Sequence, residues 1–165
     1  MATMISAVAN GGTLVKPHLV RDAQPVSEKL PVAASTLALI RNALSDVVEE
    51  GTATKAQLGP ISVAGKTGTA QVFKKSVGVD ADKQAKEERD HAWFIGYAPA
   101  ENPEIAFALV IEHGGHGGTT AAPVARKVLE VFFQDRLPAK QPVPAHPADV
   151  SVRPEAHLVA TSTSR

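Results

Sequence analysis

The chain of 165 residues has the composition of an ordinary globular protein, with 44% hydrophobic and 21% charged residues, enough for one domain or part of one. Its formal net charge is +0 and its isoelectric point is near 7.0, so charge gives no reason to expect nucleic acid or an anionic membrane as a partner. The absence of cysteine excludes a disulfide framework, a thiol nucleophile and a cysteine metal site.

The start of the chain predicts a short helix followed by extended segments. Residues 1–10 form the predicted helix, and the pair Gly11–Gly12 after it is a common signal for a helix C-terminus. Residues 19–23 predict a short strand or an extended segment that Pro25 ends. The first helix starts without a capping residue, which favours a chain that begins inside a larger domain.

Residues 34–50 show the clearest helical pattern in the chain. Ser35 or Thr36 suits the N-cap position, and Gly51 follows the last helical residue. Apolar residues recur at three- and four-residue spacing, at Leu37, Ile40, Leu44, Val47 and Val48. Packing against a core explains this face fully, so it indicates no function.

The most informative run lies on a strand predicted across residues 61–73. It contains Lys66, Thr67, Gly68 and Thr69. Side chains alternate along a strand, so Thr67 and Thr69 share one side while Lys66 projects to the other. Gly68 lets a ligand or another backbone approach closely. The run suits an edge strand that binds a carboxylate through lysine and threonine and a carbonyl through its main chain.

A phosphate-binding loop, G-x-x-x-x-G-K-[ST], is a rival interpretation of Gly65-Lys66-Thr67. That pattern needs a glycine at position 60, where the chain has Pro60. It also needs a loop before the second glycine and a helix after the threonine. A β-branched alternation precedes Gly65 instead, so the sequence favours the strand.

Residues 73–90 are polar and carry both signs of charge, which predicts a solvated insertion with a short helix near residues 81–89. Glu87 and Glu88 form the most suggestive carboxylate pair in this insertion. Neighbouring side chains on a helix point apart, so this pair cannot serve one acid–base site.

Two further strands and a final helix complete the predicted domain. Residues 91–99 and 105–112 predict an antiparallel hairpin. Both alternating sets of the hairpin carry bulky apolar residues, which predicts a sheet covered on both faces. Residues 119–135 predict a helix with an apolar stripe at Val124, Val128, Val131 and Phe132.

His113 and His116 lie close together near the end of the predicted domain and invite a metal interpretation. Zinc needs three or four well-placed ligands, and no third ligand is spaced nearby. The glycines around these histidines indicate a mobile loop. We therefore expect neither a metal nor a cofactor.

Three features together resemble the class B penicillin-binding proteins. Lys66-Thr67-Gly68 is the third signature triplet of the penicillin-interacting serine enzymes, and the fuller run from Ala64 to Gln71 resembles their transpeptidase domain. The run from Trp93 to Pro99 is a more specific likeness, and a helix followed by Gly51-Thr52-Ala53 appears in the same order. The resemblance is strongest to the penicillin-binding protein 2 type.

The resemblance implies a domain organisation and a fold. Residues 1–136 correspond to the C-terminal part of the transpeptidase domain, and residues 137–165 form a proline-rich tail that we expect to be disordered. The implied fold is α+β, an antiparallel sheet covered by helices, here incomplete. The parent would be periplasmic and anchored in the inner membrane, although this sequence shows no signal or anchor of its own.

The resemblance also implies a function for the parent and a role for each site residue. The parent would cross-link peptidoglycan stem peptides through a serine acyl-enzyme, be acylated by β-lactams, and work with proteins of the elongation machinery. Lys66 would attract the terminal carboxylate, and the Thr67 and Thr69 hydroxyls would hydrogen-bond it, with Gly68 between them. The Thr69 N–H would be one oxyanion donor.

The chain departs from the family pattern in one large respect, because it contains neither S-x-x-K nor S-x-N. A serine enzyme needs its nucleophile and base within hydrogen-bond reach. We therefore expect this chain to carry one wall of an active site and to be inactive alone. A serine β-lactamase relative and a non-catalytic binding fragment are the alternative interpretations.

Overall fold

The computed structural model describes residues 1–72 and 86–138. The helices and strands, in chain order, are α1 Ala2–Ala9, β1 Thr13–Val15, β2 Ser27–Lys29, α2 Ala34–Glu49, β3 Ala64–Ala70, β4 His91–Ala98, β5 Ile105–Ile111 and α3 Ala122–Phe132. Shorter helical turns lie at Thr54–Ala56, Lys86–Glu88, Gly117–Ala121 and Gln134–Arg136. The arrangement confirms the α+β class.

The central sheet has the order β3-β4-β5 and is antiparallel throughout. Lys66 lies opposite Ile95 in the β3–β4 ladder, and Trp93 lies opposite Val110 in the β4–β5 ladder. The predicted hairpin is therefore confirmed as β4 and β5. Within the described residues β3 pairs on one side only, so its other edge is open beside the Lys-Thr-Gly run.

Helices cover both faces of this sheet, as the hairpin pattern predicted. On one face Phe94 packs in a cluster with Ala125 and Leu129 of α3. On the other face Tyr97 packs with Ile5 of α1 and with Ala64. A fully buried Leu, Ile or Phe side chain contributes about 1.5–3 kcal/mol, so the two clusters fix the sheet between its helices.

The glycine pair Gly11–Gly12 ends α1, as predicted. Both glycines adopt positive φ angles, 80° and 94°, which residues with side chains rarely adopt. The Gly12 N–H donates to the Ala7 carbonyl at 2.7 Å and its carbonyl accepts from Leu30 N–H at 2.8 Å. The pair thus turns the chain from α1 into β1, and Gly12 is hydrogen-bonded to Leu30, the residue after β2.

The strand predicted at residues 19–23 is wrong, because the structure has turns there. The strand that pairs with β1 is the polar segment Ser27–Lys29 instead. Lys29 Nζ also donates to the Gly11 carbonyl at 2.5 Å. Leu19 is fully exposed, so no buried face stabilises a strand at the predicted position.

Helix α2 is confirmed, but its predicted N-cap is wrong. Ala33 occupies the cap position and no side chain caps the first turn, so Ser35 and Thr36 lie inside the helix. Of the predicted apolar face, Leu37 and Val48 are buried and Ile40 is exposed. Leu44, near the middle of the helix, is partly buried and packs against the cluster that contains Tyr97.

The predicted strand across residues 61–73 is too long at both ends, since the observed strand ends at Ala70. Strand β3 begins at Ala64, and Ile61 instead forms an isolated bridge with Leu58. A tight turn through Gly59, at a φ of 72°, precedes the strand. The Lys-Thr-Gly run nevertheless lies on a strand, as expected, rather than in a loop before a helix.

The final helix is divided, and its predicted stripe is wrong. A π-turn over Gly117–Ala121 precedes α3, which ends at Phe132. Val128, Val131 and Phe132 are exposed. The buried residues near and within α3 are Ala122, Ala125, Leu129 and Phe133. Small alanines on this face let the helix backbone approach the sheet closely, so the packed face is not the bulkiest one.

Most of the predicted insertion and tail lies outside the described residues. Lys86–Glu88 forms a short 3₁₀ turn, and residues 73–85 and 139–165 are not described. Leu137, at the start of the predicted tail, packs against the main core. No helix in the described part of the chain is both long and apolar enough to span a membrane.

Candidate functional site

An open cleft of about 620 Å³ lies against the Lys-Thr-Gly run of β3. Its lining comes from the turn after α2, from β3, and from the glycine loop, which we define as Gly114–Gly118. The lining residues are Thr52, Thr54, Lys55, Lys66, Thr67, Gly68, Thr69, His116, Gly117, Gly118 and Thr119. The structure thus brings all four predicted site residues together on one wall.

Strand β3 leaves the core just before it reaches the cleft. Ala64 and Gly65 are buried, Thr67 and Gly68 are half-buried, and Lys66 is exposed. A side chain at Gly65 would lie 2.6 Å from both the Ile95 carbonyl and the Phe94 ring, so only glycine fits there. The strand is therefore fixed at its buried start and free to present polar groups beyond it.

The Lys66 side chain makes a hydrogen bond to the strand backbone at Thr67. Lys66 Nζ donates to the Thr67 carbonyl at 2.8 Å. An exposed ammonium held in this way keeps two further donors for a ligand. Lys66 is thus poised at the open edge of β3, where it can pair with an anion in the cleft.

Thr52 on the opposing turn is a site residue that the sequence analysis did not assign. Its Oγ1 and the Thr67 Oγ1 are 2.8 Å apart, within hydrogen-bond distance. The turn is held because Ala53 and Ala56 are fully buried, and Ala53 N–H donates to the Val47 carbonyl at 3.0 Å. This hydroxyl pair ties two walls of the cleft together.

The glycine loop crosses β3 at very close range. A side chain at Gly117 would lie 2.5 Å from both the Gly68 and the Trp93 carbonyl oxygens. A side chain at Gly118 would lie 2.4 Å from the Thr52 carbonyl oxygen. The absence of side chains at these positions, including Gly68, lets the loop lie directly on the strand and form the third wall.

A pair of histidines anchors the start of the glycine loop. His113 adopts a φ of 54°, its N–H donates to His91 Nδ1 at 2.9 Å, and its own Nδ1 lies 3.3 Å from the Arg89 carbonyl. The rings of His91 and His113 contact edge to face. Within residues 1–72 and 86–138, no group of three or more side chains could hold a metal ion.

The cleft lining is positively charged although the whole chain is neutral. Lys55 and Lys66 both line the cleft, and no aspartate or glutamate is among its described lining residues. Threonines line the same cleft as the two lysines. Hydroxyl donors beside uncompensated ammonium groups are suited to carboxylate recognition.

Comparisons with known proteins agree with this geometry. The family model for the penicillin binding protein transpeptidase domain matches residues 1–130. A peptidoglycan D,D-transpeptidase MrdA from Acinetobacter baumannii is 36% identical in an alignment of length 149 that covers 82% of this chain and 22% of that protein. MrdA from Salmonella typhimurium is 31% identical in an alignment of length 159 that covers 86% of this chain and 26% of that protein.

Solved structures show the same fold. Pseudomonas aeruginosa PBP2 in complex with WCK 5153 has a TM-score of 0.64 and 32% identity, covering 87% of this chain and 31% of that one. A ceftriaxone acyl-enzyme complex of penicillin-binding protein A from M. tuberculosis has a TM-score of 0.63 and 27% identity, covering 78% and 30%. A complex of PBP2 and MreC from Helicobacter pylori has a TM-score of 0.65 and 25% identity, covering 80% and 24%.

These matches cover most of the present sequence and a minor part of each relative. The chain spans about a quarter of the length of the curated relatives it matches, 22% and 26% for the two above. The family match extends over α1, α2, the whole central sheet and nearly all of α3. The chain belongs to the family of penicillin-binding protein transpeptidase domains.

Proposed function

We propose that this chain forms the carboxylate-binding wall in the active site of a peptidoglycan D,D-transpeptidase, a serine acyl-enzyme of bacterial cell-wall synthesis. The observation that carries the proposal is that Lys66–Thr69 lies at the open edge of β3 and lines a cationic cleft. The names of the relatives, peptidoglycan D,D-transpeptidases, support the same reaction.

Lys66 supplies the positive potential for the terminal carboxylate of a stem peptide, or for the carboxylate of a β-lactam. Its ammonium is exposed, and one of its three hydrogens is used by the Thr67 carbonyl. The hydroxyls of Thr67 and Thr69 then donate to the same carboxylate. Charge-assisted hydrogen bonds of this kind are shorter and stronger than neutral ones.

The Thr69 N–H acts as one donor of the oxyanion hole. In an antiparallel ladder, residues two apart turn their N–H and C=O groups to the same side. The contact from Lys66 Nζ to the Thr67 carbonyl supports placing the Thr67 backbone toward the cleft, and Thr69 lies two residues further along the same strand. Such a donor stabilises the charge that develops on the substrate carbonyl.

The nucleophilic serine comes from the part of the domain that carries S-x-x-K, a motif absent from these residues. The serine oxygen bonds to the penultimate carbonyl carbon of the stem peptide, and terminal D-alanine leaves as an amine with the proton. An amine of a second stem peptide then bonds to the same carbonyl carbon, and the serine oxygen leaves with the proton of that amine. Lys66 holds the donor in the first step only, because the terminal carboxylate departs with D-alanine, whereas the Thr69 N–H polarises the carbonyl in both steps.

The parent enzyme acts in the periplasm, anchored in the inner membrane, together with proteins of the elongation machinery. The ceftriaxone acyl-enzyme of one relative supports β-lactams as ligands. The complex of another relative with MreC supports an elongation-machinery partner. The neutral net charge of the chain gives no support for nucleic acid as a partner.

The test is covalent labelling by a fluorescent penicillin. It compares this chain alone with the complete domain, in which the chain is joined to the segment that carries S-x-x-K. We expect a denaturation-resistant label on the complete domain and none on the chain alone. A labelled band for the chain alone would contradict the proposal that the nucleophilic serine comes from the segment with S-x-x-K. Rapid release of hydrolysed penicillin by the complete domain would favour a β-lactamase instead.

A further inference from the structure

A second lysine faces the cleft without a role in the chemistry proposed above. Lys55 lies on the 3₁₀ turn Thr54–Ala56 and lines the same cleft as Lys66. Ala53 and Ala56, which flank this part of the turn, are fully buried, whereas Lys55 is exposed. The turn backbone is therefore held in the core while the ammonium group is left to the cleft.

Among the described residues, no acidic side chain pairs with this second charge. Lys55 makes no ion pair or hydrogen bond with any residue in the described ranges 1–72 and 86–138. The described part of the cleft lining therefore has two lysines and no aspartate or glutamate, in a chain whose formal net charge is +0. Clefts lined by one sign of charge concentrate ligands of the opposite sign, here anions.

The two segments that carry these lysines are connected by a side-chain contact. The hydroxyl pair of Thr52 and Thr67, 2.8 Å apart, joins the turn that carries Lys55 to the strand that carries Lys66. Thr54 lines the cleft next to Lys55, so a threonine accompanies this lysine as Thr67 accompanies Lys66. An anion bound at Lys66 therefore leaves Lys55 available for a second anionic group in the same cleft.

We propose that Lys55 selects acyl donors that carry a second carboxylate, in addition to the terminal carboxylate bound at Lys66. The inference rests on the proposed transpeptidase function and names its substrate class, a stem peptide with an acidic side chain. A β-lactam with a carboxylate on its side chain presents the same chemistry to Lys55. Lys55 is then a specificity-determining residue, separate from the residues that polarise the carbonyl.

The test measures acylation of the complete domain by benzylpenicillin and by carbenicillin, which carries one additional side-chain carboxylate. The readout is the ratio of the carbenicillin rate to the benzylpenicillin rate. Lys55→Gln should lower this ratio roughly two- to fivefold, the range that an exposed ion pair supplies. Lys55→Glu should lower it further because attraction becomes repulsion, and high salt should shrink both effects.

Matched variants separate this role from a general loss of charge. Lys127→Gln removes the same charge from the exposed surface of α3, outside the cleft lining, and should leave the ratio unchanged. Lys55→Arg retains the charge and should retain the ratio. An unchanged ratio in Lys55→Gln at low salt would overturn the inference while leaving the role of Lys66 intact. A parental domain labelled by neither penicillin would overturn the proposed function itself.

A second pair of ligands tests the peptide substrate directly. Two synthetic peptides that end in D-Ala-D-Ala, one with a side-chain carboxylate and one with that group amidated, compete with benzylpenicillin labelling. Lys55→Gln should reduce the advantage of the acidic peptide by the same factor as it reduces the carbenicillin ratio. An advantage that Lys55→Gln leaves unchanged would overturn the assignment to the stem peptide.

Discussion

The two ends of β3 differ sharply although seven residues form one continuous strand. The anchored end, Ala64 and Gly65, is buried, and Ala64 lies opposite the fully buried Tyr97. The cleft end, Lys66–Thr69, is half-buried or exposed and lines the cleft. The anchored end fixes the position of groups that the cleft end presents. Substitutions at the anchored end should alter the free energy of unfolding, and substitutions at the cleft end should alter the rate of acylation.

The largest expected effect is at the anchored end. Tyr97→Ala removes a ring that packs against Ala64 and α1, and Arg41 lies over that ring at 5.9 Å. We expect the free energy of unfolding of the complete domain to fall by about 3–5 kcal/mol, as for other buried aromatic residues. Chemical denaturation measures this loss.

Tyr97→Phe is the matched control, because it retains the ring and removes only the hydroxyl. Burial raises the pKa of Tyr97, so the hydroxyl stays neutral at ordinary pH. The control should lose about 1 kcal/mol or less. Equal losses in the two variants would show that the ring does not anchor the strand.

The next effect is at the cleft end, in the backbone. Thr69→Pro removes the N–H assigned to the oxyanion hole, and proline is tolerated on the open edge of a sheet. We expect acylation by penicillin to slow about 100- to 1000-fold, the usual cost of one oxyanion donor. Thr69→Val retains the N–H and should have a much smaller defect. Equal defects would contradict the backbone role.

A smaller effect is expected at Lys66, for which we propose a role in binding the ligand carboxylate. Lys66→Ala removes one charge-assisted contact, worth about 1.5–3 kcal/mol, and should slow acylation by roughly one to two decades. The free energy of unfolding should stay at the parental value because Lys66 is exposed. Acylation at the parental rate would reassign Lys66 to a structural role.

The cleft end could be located from the sequence because its geometry is local. Alternation along a strand fixes how Lys66, Thr67 and Thr69 are arranged, whatever packs around them. Thr52 and Gly117 could not be assigned in the same way. Thr52 reaches Thr67 across 15 positions of sequence, and Gly117 is placed by contact with the Gly68 and Trp93 backbones. Such contacts depend on the tertiary fold.

The error in α3 has a different cause. Two sets of apolar residues recur on this helix, and sequence spacing alone favours the bulkier set around Val128 and Phe132. The sheet takes the other set, which includes Ala125 and Leu129. Close packing favours a helix face that fits the opposing surface over one that is merely larger. The opposing surface is formed by residues distant in sequence, so the spacing along the helix does not reveal it.

A ligand in the cleft can determine which hydroxyl of the Thr52–Thr67 pair donates the hydrogen bond. Each hydroxyl has one hydrogen, and either oxygen of the pair can be the donor. A carboxylate only accepts, so its binding at Thr67 commits the Thr67 hydrogen to the ligand and makes Thr52 the donor to Thr67. A ligand that offers an N–H leaves the order open, because the Thr67 oxygen can accept from the ligand whichever hydroxyl of the pair is the donor. Binding of an acid at Thr67 would therefore fix the direction of a hydrogen bond to a residue that the acid does not touch.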